Sequence, residues 1–330
     1  MPKPKVFVTR LIPAEGLAMI RDAAEMEVWQ EELPPPYETL LQKIRDADGL
    51  VSLLTDKIDP NLMDSNPRLK VVSQMAVGYD NIDIPAATAR GIPIGNTPGV
   101  LTDTTADFAF ALMMSAARRI PEGIDYVRAG KWKTWGPMLL TGPDLHGATL
   151  GIVGFGRIGQ GMAKRAKGFD MRVLYYDVYR REDLEKEWGV QYVDMDALLR
   201  ESDFVSLHVD LNATTRHMMN AAAFAKMKRI SILINAARGP MVDPAALYDA
   251  LKSGTIAAAA LDVTEPEPIP SNSPLLTLPN CIIVPHIASA SVATRAKMAT
   301  MAAANVIAGL RGEKLPTCVN AEVYEKGVRK

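Results

Sequence analysis

Gly151-Ile-Val-Gly-Phe-Gly-Arg-Ile-Gly159 is the stretch on which the reading of this chain turns. It sets glycines at Gly154, Gly156 and Gly159, the spacing G-x-G-x-x-G. Ahead of it, Ala148 to Val153 form a short apolar run suited to a strand. Behind it, Ile158, Met162 and Ala166 recur at helical spacing. A second apolar run, Met171 to Tyr176, ends at Asp177. The separation 177 − 159 = 18 is close to the spacing of about 20 residues at which an acid reaches an adenosine ribose. Each part has a mechanical reason. Gly154 permits the tight turn, Gly156 lets backbone approach a pyrophosphate, and Gly159 lets the helix pack closely on the sheet. The free N–H groups at the helix start, from Arg157 and Ile158 onward, and the positive dipole end then attract phosphate. A glycine triplet alone is often only a turn. Strand, glycines, helix, strand and acid in that order predict a dinucleotide-binding unit.

The rest of the composition bounds the possibilities. At 330 residues the chain has room for two domains, and 48% hydrophobic with 23% charged residues is ordinary for a globular protein. A net charge of −1 argues against a nucleic-acid partner held by bulk electrostatics. No stretch approaches the roughly 18 uninterrupted apolar residues of a membrane span, and Met1-Pro-Lys-Pro-Lys5 leads straight into strand-like residues with no signal-peptide core. Cys281 and Cys318 have no metal-ligand spacing, so neither a metal nor a disulfide framework is expected, and a reducing, cytoplasmic setting is.

Strand-like runs alternate with helical patterns almost throughout, which predicts an α/β fold with mainly parallel sheets. Residues 5–9, 27–29, 49–54, 71–75 and 92–94 read as strands, with helices over 13–23 and 37–47 between them. After Asn96-Thr97-Pro98 come an apolar helix over 104–118, the glycine-rich unit, and strands at 204–208, 231–235, 258–262 and 282–285. Residues 290–308 form a helical pattern, and 315–319 are expected to return to the first domain. The expected layout is two doubly wound parallel-sheet domains with a cleft between them. Residues 1–98 with 290–330 form the substrate domain, and 99–289 form the NAD(P)-binding domain.

Three predicted strands are followed by reactive side chains: Asn235-Ala-Ala-Arg238-Gly239, Asp262-Val-Thr-Glu-Pro-Glu267, and Pro285-His286. In an open α/β sheet, ligands sit beyond the carboxyl ends of strands. These segments, with Ala76-Val-Gly-Tyr-Asp-Asn-Ile-Asp83, Asn96-Thr-Pro98, Ala260-Leu-Asp-Val263 and Pro285-His-Ile287, resemble the D-isomer-specific 2-hydroxyacid dehydrogenases. The resemblance runs from Val6 to about Val319 and is strongest to the glyoxylate reductase/hydroxypyruvate reductase branch.

The resemblance implies an enzyme that reduces a small 2-keto acid to the D-2-hydroxy acid with NAD(P)H, working as a homodimer. Arg238 would hold carboxylate and keto oxygen through its planar fork. His286 would be the general acid, because histidine titrates near neutrality, and Glu267 its carboxylate partner. Glu265 is the rival by residue type; the family pattern selects Glu267. On the cofactor side the resemblance implies Thr105, Gly154, Gly156, Arg157, Ile158, Gly159, Asp177, Ala237 and Asp262, the last reaching the nicotinamide carboxamide. On the substrate side it implies backbone N–H groups of Ala76, Val77 and Gly78, the pocket wall at Leu54, and Arg238 and His286 themselves. A carboxylate at Asp177 favours NAD(H), with Arg180 and Arg181 near enough to hold the 2′-phosphate of NADP(H). The segment 131–141, with Trp132 and Trp135, belongs to the dimer arm in this family, and Leu139 stands where relatives carry an aromatic. Asp107, Asp210 and Ala288 also depart from the family pattern. His146 and His217 read as structural, and His208 as a strand-end residue near the cofactor. Other readings are the same site acting on D-lactate, D-3-phosphoglycerate, formate or phosphite, or a dinucleotide-sensing corepressor without turnover.

Overall fold

Short apolar runs, buried without interruption, form the central strands of both sheets of this protein. Val71–Gln74 and Phe204–Leu207 are buried at every position, as expected of parallel strands covered on both faces. The computed structural model describes residues 3–329. It divides into two compact units, Met1–Leu101 with Ala290–Lys330, and Thr102–Ser289.

The first unit carries five parallel strands, β1 (Lys5–Val8), β2 (Glu25–Val28), β3 (Gly49–Ser52), β4 (Val71–Gln74) and β5 (Ile94–Gly95), in the order β2-β1-β3-β4-β5. The expected strand over 92–94 starts later because Pro93 has no N–H; its carbonyl accepts from Val72 instead. The expected helix over 37–47 ends at Lys43, since the chain must turn for the Asp48 N–H to reach the Lys5 carbonyl. The late helix Val292–Leu310 packs on the early helix Ala14–Ala23. A side chain at Gly16 would collide with Ala299, so glycine sets how closely those helices approach. Ser73 Oγ donates to the Ala302 carbonyl at 2.8 Å, and Val319 N–H donates to Ile94 O at 2.8 Å, so the C-terminal segment is sewn onto β4 and β5.

The second unit carries seven parallel strands: β6 (Thr149–Val153), β7 (Arg172–Tyr176), β8 (Gln191–Tyr192), β9 (Phe204–Leu207), β10 (Ile232–Asn235), β11 (Ala258–Leu261) and β12 (Cys281–Ile283). Their order is β12-β11-β10-β9-β6-β7-β8. The direction of winding reverses between β6 and β9, which is the switch point where doubly wound sheets bind dinucleotides. The helix Thr102–Ala117 packs on the helix Arg157–Lys167, with Gly161 lying against Ala106. Asp194, Asp243 and Ser291 cap helix starts with their side chains, worth about 1 kcal/mol each. Among the described residues no helix is long and apolar enough to cross a membrane.

Candidate active site

The turn after β6 begins at Gly154, whose φ of +93° lies in the region glycine alone adopts freely. Its N–H donates to Tyr176 O at 2.8 Å, and a Cβ there would stand 2.6 Å from the His208 carbonyl. A Cβ on Gly159 would overlap the Gly154 carbonyl oxygen, whereas one on Gly156 would meet nothing within 4 Å. The protein's own packing therefore demands two of the glycines, and the third faces open space. Arg157 and Ile158 open the helix Arg157–Lys167, whose first N–H groups have no partner within the helix. Open space in front of Gly156 and a helix start aimed at it fit a dinucleotide pyrophosphate.

Asp177 follows β7 and braces this turn. Its Oδ2 accepts from Phe155 N–H at 2.6 Å and its Oδ1 from Tyr179 N–H at 3.0 Å. The nearby arginines are both engaged. Arg180 donates twice to Glu185, at 2.9 and 2.8 Å, and holds that carboxyl down at about 2, while Arg181 donates twice to Asp183. Thr105 is buried in the helix Thr102–Ala117. His208 closes β9 with its Nε2 at 2.8 Å from Ser206 Oγ, and burial pushes its pKa down to about 4.

Three neighbouring strands end in the reactive residues. After β10, Asn235 shapes the turn: its Nδ2 donates to Arg238 O at 2.9 Å and its Oδ1 accepts from Ala237 N–H at 3.1 Å. Arg238 Nη1 in turn donates to Ala237 O at 2.8 Å. Gly239 then presses on the backbone of Thr264, leaving no room for a side chain. After β11 come Asp262 and Glu267; after β12 comes His286, with its φ at +53°. That strained backbone is held by its surroundings: His286 N–H donates to Asp262 O at 2.8 Å. Asp262 Oδ1 and Oδ2 accept from the N–H groups of Ile287 and Ala288 at 2.7 and 3.0 Å. The Asp262 side chain, expected to reach toward a nicotinamide carboxamide, thus has both oxygens bonded to the histidine loop and is only 1% exposed. Burial raises its pKa against the opposing pull of those two N–H groups.

His286 Nδ1 lies 2.6 Å from Glu267 Oε1. This pair fixes the ring, leaving Nε2 as the atom that can exchange a proton with a ligand. Glu265 faces elsewhere, onto Arg216 and His217. Of the expected catalytic residues, Glu267 and His286 are in contact, and Arg238 stands at the end of the strand adjoining β11.

In the first unit, residues 76–78 form a loop whose three carbonyls are all held. Ala76 O accepts from Thr97 N–H at 2.9 Å, Val77 O from Asn96 Nδ2 at 2.9 Å, and Gly78 O from Gln74 Nε2 at 2.7 Å. Among the described residues none accepts the N–H of Val77 or Gly78. Asn81 ties the same loop to the turn containing Leu54, donating to Leu53 O and Asp56 O. Sequence reasoning missed Asn235, Gln74, Asn81 and Asn96. The legible signal was an amide closing a buried apolar strand, as in Ile232-Leu-Ile-Asn235 and Val71-Val-Ser-Gln74.

A dinucleotide fold with a carboxylate-paired histidine and an arginine at adjacent strand ends defines a nicotinamide-dependent oxidoreductase. Residues 110–288 match the family model described as D-isomer specific 2-hydroxyacid dehydrogenase, NAD binding domain. The chain is 57% identical to a glyoxylate reductase of Korarchaeum cryptofilum over 98% of both chains. It is 50% identical to a glyoxylate reductase of Thermococcus kodakarensis, again over 98% of both. Among solved structures, an NADPH-dependent glyoxylate/hydroxypyruvate reductase of Sinorhizobium meliloti, in complex with NADP and malonate, matches with a TM-score of 0.86 at 34% identity, over 99% of both chains. The chain belongs to the D-isomer-specific 2-hydroxyacid dehydrogenase family. It is an NAD(P)-dependent oxidoreductase.

Proposed function

We propose that this protein reduces glyoxylate and hydroxypyruvate to glycolate and D-glycerate, with NADH as the preferred reductant. The observation that carries the reading is the 2.6 Å contact between His286 and Glu267, one strand away from Arg238. The Arg238 fork binds the substrate carboxylate and polarises the keto oxygen. On the first unit, the N–H groups of Ala76, Val77 and Gly78 are assigned to substrate carboxylate binding and Leu54 to the substrate side. His286, charged and held by Glu267, gives its Nε2 proton to the keto oxygen as negative charge develops there. The nicotinamide, when bound, supplies the hydride for the keto carbon. His286 is then neutral and recovers a proton from water, so one keto acid, one NADH and one proton give one hydroxy acid and one NAD⁺.

Gly154, Gly156, Arg157, Ile158 and Gly159 are assigned to the pyrophosphate and Asp177 to the adenosine ribose diol. Thr105, Ala237 and Asp262 are assigned to the nicotinamide side, Asp262 by holding the loop of His286. The NADH preference is supported by Asp177 beside the glycine turn and by Arg180 and Arg181 being committed to Glu185 and Asp183. A homodimer is supported by Ile120, Ile124 and Val127, exposed along the helix Ile120–Arg128, followed by exposed Trp132 and Trp135. A cytoplasmic setting is supported by the two free cysteines.

Steady-state kinetics with NADH and NADPH against glyoxylate, hydroxypyruvate, pyruvate and 3-phosphohydroxypyruvate test this reading. We expect the highest kcat/KM for the first two acids with NADH, a loss of at least about 100-fold in Arg238→Lys and His286→Gln, and a shift toward NADPH in Asp177→Ser. Undiminished turnover in either catalytic variant would overturn the assigned chemistry.

A further inference from the structure

Glu265 lies two residues before Glu267 on the loop after β11, and each of its carboxylate oxygens has a partner. Arg216 Nη1 donates to its Oε1 at 2.6 Å, and His217 Nε2 lies 2.5 Å from its Oε2. Both partners come from the turn after β9, a different part of the chain. That turn is itself anchored: His217 N–H donates to Pro240 O at 2.8 Å and Met219 N–H to Met241 O at 3.0 Å. Pro240 and Met241 belong to the short 3-10 turn Gly239–Met241 that follows Arg238. Gly239 packs without clearance on Thr264, and Thr264 Oγ1 donates to Pro266 O at 2.8 Å. The bond Glu267 could draw from its own loop is weak, Thr264 N–H at 3.5 Å. The Glu267 segment is thus held from within its loop by the Thr264–Pro266 bond and from outside it by the grip on its neighbour Glu265.

We propose that Arg216, His217 and Glu265 are positioning residues that clamp the loop carrying Glu267, so that Glu267 stays against His286 and keeps the general acid charged for reduction. The inference rests on the roles given above to Glu267 and His286 and extends them to three side chains outside the reacting site. Among the described residues of this unit, the titratable and charged groups beside His286 are Glu267 and Asp262, and those beside Glu265 are Arg216 and His217. Burial raises the pKa of Glu265, and the bonds from His217 and Arg216 more than offset it, leaving the carboxyl below its usual range. It is thus ionised at neutral pH. The clamp ties Arg238 and Glu267 to one another as well, because the turn that grips Glu265 is hydrogen-bonded to the segment following Arg238.

The test is the pH profile of kcat/KM for glyoxylate reduction with NADH in wild type, Glu267→Gln, Glu265→Gln, His217→Leu, His217→Gln and Arg216→Gln, each with its melting temperature. Reduction needs a charged histidine, so a loosened Glu267 moves the alkaline limb to lower pH. We expect E267Q to move it most. E265Q and H217L should move it in the same direction and lower kcat/KM at pH 8 by about 3- to 10-fold, a change equivalent to half to one pH unit. KM for NADH should be unchanged. H217Q, which retains a donor toward Glu265, should return to the wild-type profile. R216Q alters a half-exposed side chain and stays folded, so it reads the clamp even where H217L does not fold. Profiles of E265Q, H217L and R216Q that overlay wild type while E267Q is shifted overturn the clamp alone, whatever happens to the melting temperatures. An unshifted E267Q overturns the Glu267–His286 reading and the clamp with it.

Discussion

Glu265 and Glu267 are the same residue type two positions apart, and their surroundings give them different tasks. One is saturated by Arg216 and His217, the other meets His286. The histidines divide in the same way. His286 keeps a partly exposed ring beside a carboxylate, whereas His208 follows a buried strand with its Nε2 against the Ser206 hydroxyl. Burial lowers the His208 pKa from 6.5 to about 4, which has a sign that can be worked out. Between those values the unfolded chain takes up the proton and the folded one does not. This group therefore costs nothing above pH 6.5, and stability falls progressively as pH drops toward 4. The loss is at most about 3 kcal/mol, since the side chain retains some solvent contact. His208→Gln should flatten that part of the stability curve, read from urea unfolding at pH 7, 5.5 and 4.5. Parallel curves for variant and wild type would show that the histidine is not held neutral.

Elements act here by what they do to the loops they end in. The 76–78 loop is rigid because an amide from β4, another from residue 96 and a backbone N–H from residue 97 each hold one of its carbonyls. With the carbonyls anchored, the N–H groups are held in place in advance, which suits the carboxylate-binding role proposed for them above. Asn96→Ala removes the donor to Val77 O and leaves that carbonyl without its side-chain partner. We expect KM for the keto acid to rise by about tenfold, with the affinity for NADH, read by fluorescence titration, unchanged. A KM equal to wild type would mean that the loop holds its shape without Asn96. Asn235 has the corresponding task at the end of β10, shaping the turn from which Arg238 projects.

At the scale of the whole molecule, the helix Ile120–Arg128 has no buried residue of its own, and its apolar side chains at 120, 124 and 127 share one face. Covering such side chains contributes about 1.5 to 3 kcal/mol each before the cost of association, and exposed Trp132 and Trp135 extend the apolar surface available to the homodimer proposed above. Ile124→Glu should convert the proposed dimer to a monomer at micromolar concentration in sedimentation velocity. A monomeric wild type, or a variant with unchanged sedimentation, would remove this face as the interface.

The sequence by itself determined a great deal. The glycine spacing, the acid after β7 and the apolar runs specify two parallel α/β sheets and a dinucleotide site, because these features depend on local backbone geometry and on period. The short strand β8 and the helices Pro60–Asp64 and Ile84–Ala89 went unread, since a few residues carry too little periodicity to declare themselves. Only the tertiary structure decided which carboxylate meets which histidine, that Asp262 turns its oxygens onto the loop of His286, and that Arg180 and Arg181 are engaged by their own acids. Those outcomes depend on which strand ends lie side by side. Partner choice between chemically equal side chains is settled by angstroms across the sheet, a distance that spacing along the chain does not encode.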